Sequence, residues 1–329
     1  MKKIINKPEN VVTEMLDGLA YVHSDLVHRV EGFDIIARNE QAAGQVGLIS
    51  GGGSGHEPAH AGFVGDGMLS VAIAGAVFTS PTPDQILEAI KEADQGAGVF
   101  MVVKNYSGDI MNFEMAQELA EMEGIEVASV VVDDDIAVEN SLYTQGRRGV
   151  AGTIFVHKIL GHAAREGKSL ADIKALADKI VPNIHTIGLA LGGATVPEVG
   201  KPGFVLAEDE IEYGIGIHGE PGYRKESMQP SRQLAEELTG KLLEAFEAKS
   251  GDRYALLING MGATPLMEQY VFANDVASLL GDAGLEVTYR KLGNYMTSID
   301  MAGLSLTLMK IEDDAWLEAL ESPVKTIAW

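Results

Sequence analysis

A glycine-rich run that leads into a histidine is the strongest chemical signal in this sequence. The run, GGGSGHEP at residues 51–58, follows an apolar stretch at residues 46–50 that predicts a buried strand. Glycines let the backbone turn sharply, adopt positive φ angles and bring its N–H groups close to a polar ligand. Since His56 adds a titratable imidazole beside that ligand, the run predicts a small-molecule site. A purely structural turn is the alternative.

Neither common nucleotide-binding motif is present in this run. A P-loop ends in Gly-Lys-Ser/Thr, whereas His56 and Glu57 occupy the positions of the lysine and the hydroxyl residue. The dinucleotide spacing Gly-x-Gly-x-x-Gly also fails, because its third glycine would fall on His56 or on Pro58. The chemistry predicted here is therefore that of a small substrate rather than a nucleotide.

A second histidine has a comparable setting. His218 follows alternating glycines in YGIGIHGEPG, residues 213–222, which predicts a strand end that a ligand can approach closely. A histidine exposed there can act as a nucleophile or carry a proton. His60 lies four residues after His56, but no further ligand follows at a consistent spacing, so no metal site is predicted. The other histidines are expected to be solvated or packed: His23, His28, His157, His162 and His185.

The segments around these residues alternate between strands and helices. Thr82, followed by Pro83 and then by Gln85, forms a capping box that predicts the start of one helix. Such alternation favours a parallel, doubly wound sheet with helices on both of its faces. Periodicity in the first half predicts helices at 9–30, 113–122, 153–166 and 170–179, and strands at 46–50, 68–74, 98–103 and 127–132.

The second half has its own set of strands and a long helix that opens at Pro230, with Ser231 as its N-cap. At 329 residues, the chain is long for one hydrophobic core. We therefore expect an α/β fold of two domains, residues 1–183 and 184–329, each with a β-sheet flanked by helices. The second-half strands are predicted at 187–191, 210–217, 254–258, 285–291 and 304–310.

Polar loops follow several of the predicted strands of the first sheet. Ligands of such sheets bind beyond the carboxyl ends of the strands, so the loops at 51–56 and 104–109 are expected to converge on one crevice. This topology makes Lys104 and Asp109 candidate site residues. The acidic residues 133–135 could bind a divalent cation or, equally well, cap the next helix. Arg147 and Arg148 could contact an anion or a neighbouring subunit.

Composition excludes several classes of protein. A formal net charge of −23 without a Lys/Arg cluster argues against binding to nucleic acid. No apolar run reaches the length of a membrane span, and the first residues lack a hydrophobic signal core. The absence of cysteine rules out disulfides and thiolate metal sites. We expect a cytoplasmic protein without membrane contact.

Seven motifs, in the order in which they occur along the chain, resemble those of the substrate-binding subunit of the dihydroxyacetone kinase family. The resemblance is to the type of subunit that depends on the phosphotransferase system. The resemblance spans nearly the whole chain. Any one motif could be chance, but the ordered set is specific. The motifs lie at residues 51–58, 78–84 (FTSPTPD), 104–109 (KNYSGD), 133–151, 200–202 (GKP), 214–222 and 262–266 (GATPL).

The resemblance implies a role for each candidate residue. His218 is expected to form a covalent hemiaminal with the carbonyl carbon of dihydroxyacetone. His56 and Asp109 are expected to hold substrate hydroxyls and to assist proton transfer. The remaining substrate contacts are expected from Gly53, Ser54, Gly55 and Lys104.

The same resemblance implies that each subunit folds into two α/β domains and that the subunit forms a homodimer. It also implies that the chain binds no metal and no cofactor of its own. The ADP or ATP and Mg²⁺ are then expected on a separate nucleotide-binding subunit, with a phosphohistidine-carrying subunit upstream. The alternative within the family is a non-catalytic sensor of dihydroxyacetone that serves as coactivator of a transcription regulator.

Overall fold

A computed structural model describes residues 2–329, and within that range it contains eight α-helices and twelve β-strands in two sheets. The helices are α1 Val11–Val22, α2 Pro83–Ala93, α3 Ser107–Met122, α4 Thr153–Arg165, α5 Leu170–Ile180, α6 Ser231–Ala245, α7 Leu266–Asp282 and α8 Asp314–Glu321. The strands are β1 Val27–Arg29, β2 Ile35–Arg38, β3 Gly47–Ser54, β4 Val71–Val77, β5 Val99–Lys104, β6 Val127–Val132, β7 Ile184–Ala190, β8 Glu210–Tyr213, β9 Arg224–Ser227, β10 Arg253–Gly260, β11 Glu286–Gly293 and β12 Gly303–Lys310.

The first sheet has the strand order β1-β2-β4-β3-β5-β6. Its four strands from β4 to β6 are parallel, and the β1–β2 hairpin adds an antiparallel edge. Every residue of β5 is buried, as expected for a central parallel strand with helices on both faces. The prediction of a mostly parallel, doubly wound first sheet is confirmed.

The second sheet is mixed, with the order β11-β10-β12-β7-β8-β9. Only the β10–β11 pair is parallel, and the other neighbours run antiparallel. Helices α6 and α7 cover its outer face, where leucines such as Leu234, Leu238 and Leu242 are buried. The spacing of these leucines along α6 matches the period of a helix that buries one face.

Three hydrophobic clusters lie between the layers of helices and sheets and pack them together. The outer face of the first sheet packs against α2 and α3, and the outer face of the second sheet packs against α6 and α7. The central cluster lies between the sheets and joins residues from both, such as Val102, Phe155 and Leu257. The chain passes from the first sheet to the second between β6 and β7. The division into two domains between residues 183 and 184 stays a prediction. Met1, the first residue of the predicted first domain, lies outside the described residues.

Of the two helix starts predicted from capping residues, one is found in the structure and one is not. The predicted capping box is present at α2, where Thr82 and Gln85 exchange hydrogen bonds at the helix start. Ser231 was predicted as the N-cap of α6, and this is wrong. The cap position is Pro230, and the Ser231 hydroxyl is buried without a hydrogen-bond partner.

Three predicted boundaries are also wrong near the residues of interest. The glycine run was predicted as a loop, but β3 continues through Gly51–Gly53 as far as Ser54 because β4 pairs with it along this length. Helix α3 begins at Ser107 rather than at 113, so Asp109 belongs to its first turn. Strand β8 ends at Tyr213 rather than at residue 217, so His218 lies in a turn beyond the strand and not at its end.

Candidate active site

A cavity of about 520 Å³ opens at the carboxyl ends of β3, β4 and β5. This volume falls within the usual range of ligand pockets and far exceeds what a three-carbon molecule needs. Gly53 from the run at 51–56 and Lys104 and Asp109 from the run at 104–109 line the same cavity, so the two runs converge as the topology predicted. The cavity is lined by Gly53, Phe78, Thr79, Ser80, Lys104, Tyr106, Gly108, Asp109, Met111, Asn112, Tyr143 and His218.

Glycines in β3 leave space for the groups that face the cavity. A Cβ atom on Gly52 would lie 3.1 Å from Lys104 Nζ and 3.5 Å from Asp109 Oδ2. A Cβ atom on Gly53 would lie 2.5 Å from the backbone nitrogen of Thr79, closer than real Cβ contacts occur. Within residues 51–55, only Gly55 has a positive φ, of 108°. The glycines of this run are therefore needed mainly because neighbouring atoms leave no room for a side chain, and less because the backbone turns sharply there.

Lys104 and Asp109 form a buried ion pair at the floor of the cavity. Lys104 is the last residue of β5, and its Nζ lies 3.9 Å from Asp109 Oδ2. The hydroxyl of Ser80 donates to the other oxygen of Asp109. Burial lowers the pKa of Lys104 and raises the pKa of Asp109, and each partner's charge opposes the shift of the other. Such a pair can hold substrate hydroxyls and exchange protons with them.

His56 and His218 meet through their imidazole rings. Their Nε2 atoms lie 3.0 Å apart, and the Nδ1 atom of His56 lies 2.7 Å from the carbonyl oxygen of Thr297. A carbonyl oxygen only accepts, so His56 Nδ1 carries a proton. Burial lowers the pKa of His56 well below its usual value, and the neighbouring His218 and Lys104 lower it further. His56 is fully buried behind His218 and is not part of the cavity lining.

His218 itself borders the cavity, with 14% of its side chain exposed. Its Nδ1 atom lies 3.0 Å from Glu220 Oε1. Burial favours the neutral acid, but hydrogen bonds from His218 outweigh it and lower the pKa of Glu220 to about 2. Because Glu220 is a carboxylate, it accepts a hydrogen bond from the Nδ1–H group of His218, so Nε2 is the ring nitrogen of His218 that can provide a lone pair.

A proton count describes the contact between the two rings. Each ring already carries a proton on Nδ1, so a hydrogen bond between the Nε2 atoms requires one further proton. The two rings then hold three protons and one positive charge, opposite the carboxylate of Glu220. His218 can act as a nucleophile only after this proton has left its Nε2 atom.

Aromatic side chains fix the orientation of His218. The Phe78 ring stacks on His56 at 5.2 Å and meets His218 edge-on at 5.1 Å. The Tyr106 ring meets His218 edge-on at 4.7 Å, and Lys104 Nζ lies 5.1 Å above it. The Tyr106 hydroxyl is buried without a hydrogen-bond partner.

Five residues of the site were missed at the level of sequence: Gly52, Phe78, Ser80, Tyr106 and Glu220. Each of the five lies within one of the motifs that carry the family resemblance, but a motif does not show which of its side chains face the cavity. Glu220 alone had a signal of its own, as an acidic residue two positions after a histidine in a glycine-rich turn.

Two predicted substrate contacts lie elsewhere. Ser54 Oγ donates to the carbonyl oxygen of Gly75 at 2.7 Å, and neither Ser54 nor Gly55 lines the cavity. The glycine at position 55 instead packs against the Phe78 ring, which a Cβ atom would approach to 2.7 Å. Of the predicted residues, Gly53, Lys104, Asp109 and His218 line the cavity.

The acidic run after β6 has structural contacts. Asp134 accepts hydrogen bonds from the backbone N–H groups of Val150 and Gly152, each at 2.8 Å, so it holds the segment that leads into α4 and does not cap the helix itself. Asp135 pairs with the buried Arg148, whose guanidinium also donates to the carbonyl oxygen of Gly214. The anion that Arg148 contacts therefore belongs to its own chain. Across the part of the chain that the structure describes, no group of three or more His, Asp or Glu residues is arranged to hold a metal ion.

Known proteins resemble this chain along most of its length. Residues 17–328 match the Dak1 domain. The chain belongs to the dihydroxyacetone kinase family. It is 66% identical to the "PTS-dependent dihydroxyacetone kinase, dihydroxyacetone-binding subunit DhaK" of Lactococcus lactis, across 100% of this chain and 99% of that protein. The family resemblance drawn from the motifs is therefore confirmed.

Solved structures of this dihydroxyacetone kinase family share the fold. The dihydroxyacetone kinase of C. freundii is 35% identical with a TM-score of 0.92, and the match covers 100% of this chain but 60% of that one. A dihydroxyacetone kinase operon co-activator, DhaQ, is 46% identical with a TM-score of 0.91, over 96% of this chain and 97% of the other. Between residues 2 and 329, no helix combines the length and apolar character needed to cross a membrane.

Proposed function

We propose that this chain binds dihydroxyacetone covalently and presents it for phosphorylation by a separate nucleotide-binding subunit. The observation that carries the proposal is the setting of His218. Its ring borders the cavity, its Nδ1 atom is held by the carboxylate of Glu220, and its Nε2 atom is the nitrogen left for attack. Neutral imidazole nitrogens of this kind add to ketone carbonyls.

The covalent step balances with the groups present. With the additional proton of the pair on His56 Nε2, the lone pair of His218 Nε2 forms a bond to the carbonyl carbon, and the π electrons of the C=O bond move to its oxygen. That oxygen takes the additional proton of the His56–His218 pair and becomes a hydroxyl group. The positive charge then lies on the substituted imidazole of His218, next to Glu220, and His56 is left neutral.

A covalent bond explains selectivity for a ketone. Glycerol has the same number of carbons and similar hydroxyls but no carbonyl carbon to attack, so hydrogen bonds alone would reject it poorly. In this proposal Lys104 and Asp109 bind the hydroxyls. Asp109 then accepts the proton of the hydroxyl that attacks phosphorus, a form of catalysis typically worth about 10²–10⁴ in rate.

The phosphoryl donor is proposed to lie on another subunit. The sequence contains no P-loop, and its L. lactis relative is described as the dihydroxyacetone-binding subunit of a PTS-dependent kinase. The nucleotide and its Mg²⁺ would then belong to the partner, which is recharged by a phosphohistidine protein. We also propose that this subunit is a homodimer and acts in the cytoplasm.

A crystal soaked in dihydroxyacetone tests the covalent step. We expect continuous electron density from His218 Nε2 to the central carbon of the ligand. His218→Ala should abolish this adduct, whereas His23→Ala, at a histidine outside the cavity, should keep it. Ligand density separated from His218 in the unaltered protein would contradict the proposal.

A sensor of dihydroxyacetone is the second candidate function, since the co-activator structure has nearly the same fold at 46% identity. A sensor needs capture alone, whereas His56, Lys104 and Asp109 together form acid–base machinery that favours the enzyme. Mixing the chain with the nucleotide-binding subunit, a phosphoryl donor and dihydroxyacetone separates the two. Triose phosphate supports the kinase subunit, and adduct without triose phosphate supports the sensor.

A further inference from the structure

Glu220 holds His218 by two separate donors. Its Oε1 atom lies 3.0 Å from His218 Nδ1, and its Oε2 atom lies 2.5 Å from the backbone nitrogen of the same residue. The side chain of Glu220 is 1% exposed, so water does not compete for these contacts. Each oxygen of the carboxylate is therefore committed to one N–H group of His218.

We propose that Glu220 is a positioning residue that fixes the tautomer of His218 and thereby makes its Nε2 atom the nucleophile. This inference rests on the proposed function. The carboxylate holds the proton on Nδ1, as the aspartate of a Ser-His-Asp triad does for its histidine. It also faces the positive charge that the ring gains when Nε2 bonds to the carbonyl carbon.

Only a carboxylate satisfies both donors at once. The backbone N–H of His218 can donate but never accept, so a glutamine at position 220 must turn its carbonyl oxygen toward that group. The NH₂ group of the glutamine then faces Nδ1 of the imidazole. Nδ1 becomes the acceptor, the ring proton moves to Nε2, and the nucleophilic lone pair is lost.

The turn around Glu220 is built to hold it in place. Gly216 has no room for a side chain, because a Cβ atom there would collide with Glu220 Oε2 and lie 2.7 Å from Arg148 Nη1. Arg148 is itself anchored by Asp135 and donates to the carbonyl oxygen of Gly214 at 2.7 Å. The guanidinium therefore braces the turn and places positive charge near the buried carboxylate.

NMR spectroscopy of protein labelled with ¹⁵N-histidine tests the inference without substrate. Protonated and unprotonated ring nitrogens have well-separated ¹⁵N shifts, so the spectrum reports the tautomer of His218 directly. We expect Nδ1 of His218 to be protonated in the unaltered chain, because it faces the carboxylate of Glu220. Glu220→Gln should place the proton on Nε2.

Glu212→Gln is the matched control. Glu212 is also buried next to the same turn, but it accepts only one backbone donor, the N–H of Gly222 at 2.8 Å, which a glutamine oxygen can keep. This variant should retain the tautomer and the capture of dihydroxyacetone. Glu220→Gln should slow capture by about 100-fold or more, as the loss of the correct tautomer does in serine proteases.

The outcomes separate the two proposals. Unprotonated Nδ1 of His218 in the unaltered chain, or unchanged capture in Glu220→Gln, overturns the role of Glu220. If the spectra show the expected tautomers but no adduct forms with dihydroxyacetone, the proposal of covalent capture is overturned. The role of Glu220 in fixing the tautomer of His218 then still stands. If Glu220→Gln does not fold, the spectrum of the unaltered chain still decides the point.

Discussion

The Nε2 atoms of His56 and His218 lie 3.0 Å apart, although 162 positions separate the two residues in the chain. His56 is delivered by the segment after β3 and His218 by the turn after β8, so the contact joins the two sheets. Their hydrogen bond needs one proton beyond those on the Nδ1 atoms, and substrate capture must consume or release it.

Loss of His56 Nε2 should slow capture without preventing it, because the nucleophile remains. His56→Asn keeps an amide N–H near the position of Nδ1, where it can still donate to Thr297, but it removes Nε2. We expect the rate of adduct formation to fall by about 10²–10⁴, as for loss of a general acid, with the final amount of adduct retained at saturating ketone. NMR spectroscopy with dihydroxyacetone that carries ¹³C at its carbonyl carbon measures both the rate of adduct formation and its final amount.

His56→Gln is the counterpart, since its amide lies near the position of Nε2 and loses the contact with Thr297. It should capture faster than His56→Asn. Equal rates for the two variants would argue against proton transfer by Nε2.

Substitution of Asp109 should separate binding from turnover. Asp109→Asn keeps the shape of the side chain and a partner for Ser80, so most of the adduct should survive. The rate of phosphorylation in the presence of the nucleotide-binding subunit should fall by about 10²–10⁴, because the general base is lost. Asp133→Asn, at a neighbouring acidic residue outside the cavity, should change neither quantity. Equal losses of adduct and turnover in Asp109→Asn would contradict the role proposed for it.

The glycines of β3 should differ in their tolerance of a methyl group. Gly53→Ala places Cβ 2.5 Å from the backbone of Thr79, so the free energy of unfolding should fall by about 2–3 kcal/mol. Gly52→Ala meets only side-chain ends, Lys104 Nζ at 3.1 Å and Asp109 Oδ2 at 3.5 Å, so it should cost less stability and instead displace the ammonium group of Lys104. Gly240→Ala, in open space on α6, should stabilise by about 0.5–1 kcal/mol. Urea unfolding measures all three, and equal costs at positions 52 and 53 would refute the packing argument.

Ionisation of Asp134 should make stability depend on pH. Burial raises the pKa of Asp134 from 3.8 to about 6. The folded chain therefore binds more protons than the unfolded chain between these values, and the stabilisation is lost as pH rises through about 6. From pH 5 to 7.5, the free energy of unfolding should fall by roughly 1–2 kcal/mol more than in Asp134→Asn. Parallel pH profiles for the two proteins in urea unfolding would contradict this assignment.

Asp134→Asn should also be less stable at every pH. An amide nitrogen would face either the N–H of Val150 or that of Gly152, each of which can only donate. A donor left without an acceptor in a buried site costs about 1–3 kcal/mol.

Local patterns in the sequence determined much of the fold. Uniformly apolar segments predicted the buried parallel strands, and the capping box placed the start of α2 correctly. Such features depend on neighbouring residues, and the chain carries that information in its order. The motif set also placed His56, Lys104, Asp109 and His218 in one family site, and three of these four line the cavity.

Only the tertiary structure decided how those residues act. Sequence spacing could not reveal that His56 lies behind His218, that Glu220 holds both N–H groups of that residue, or that Arg148 braces the same turn. These relationships depend on distances between segments brought together by two sheets and a shared core. They also depend on burial, which sets the protonation of each group and is a property of the folded chain as a whole.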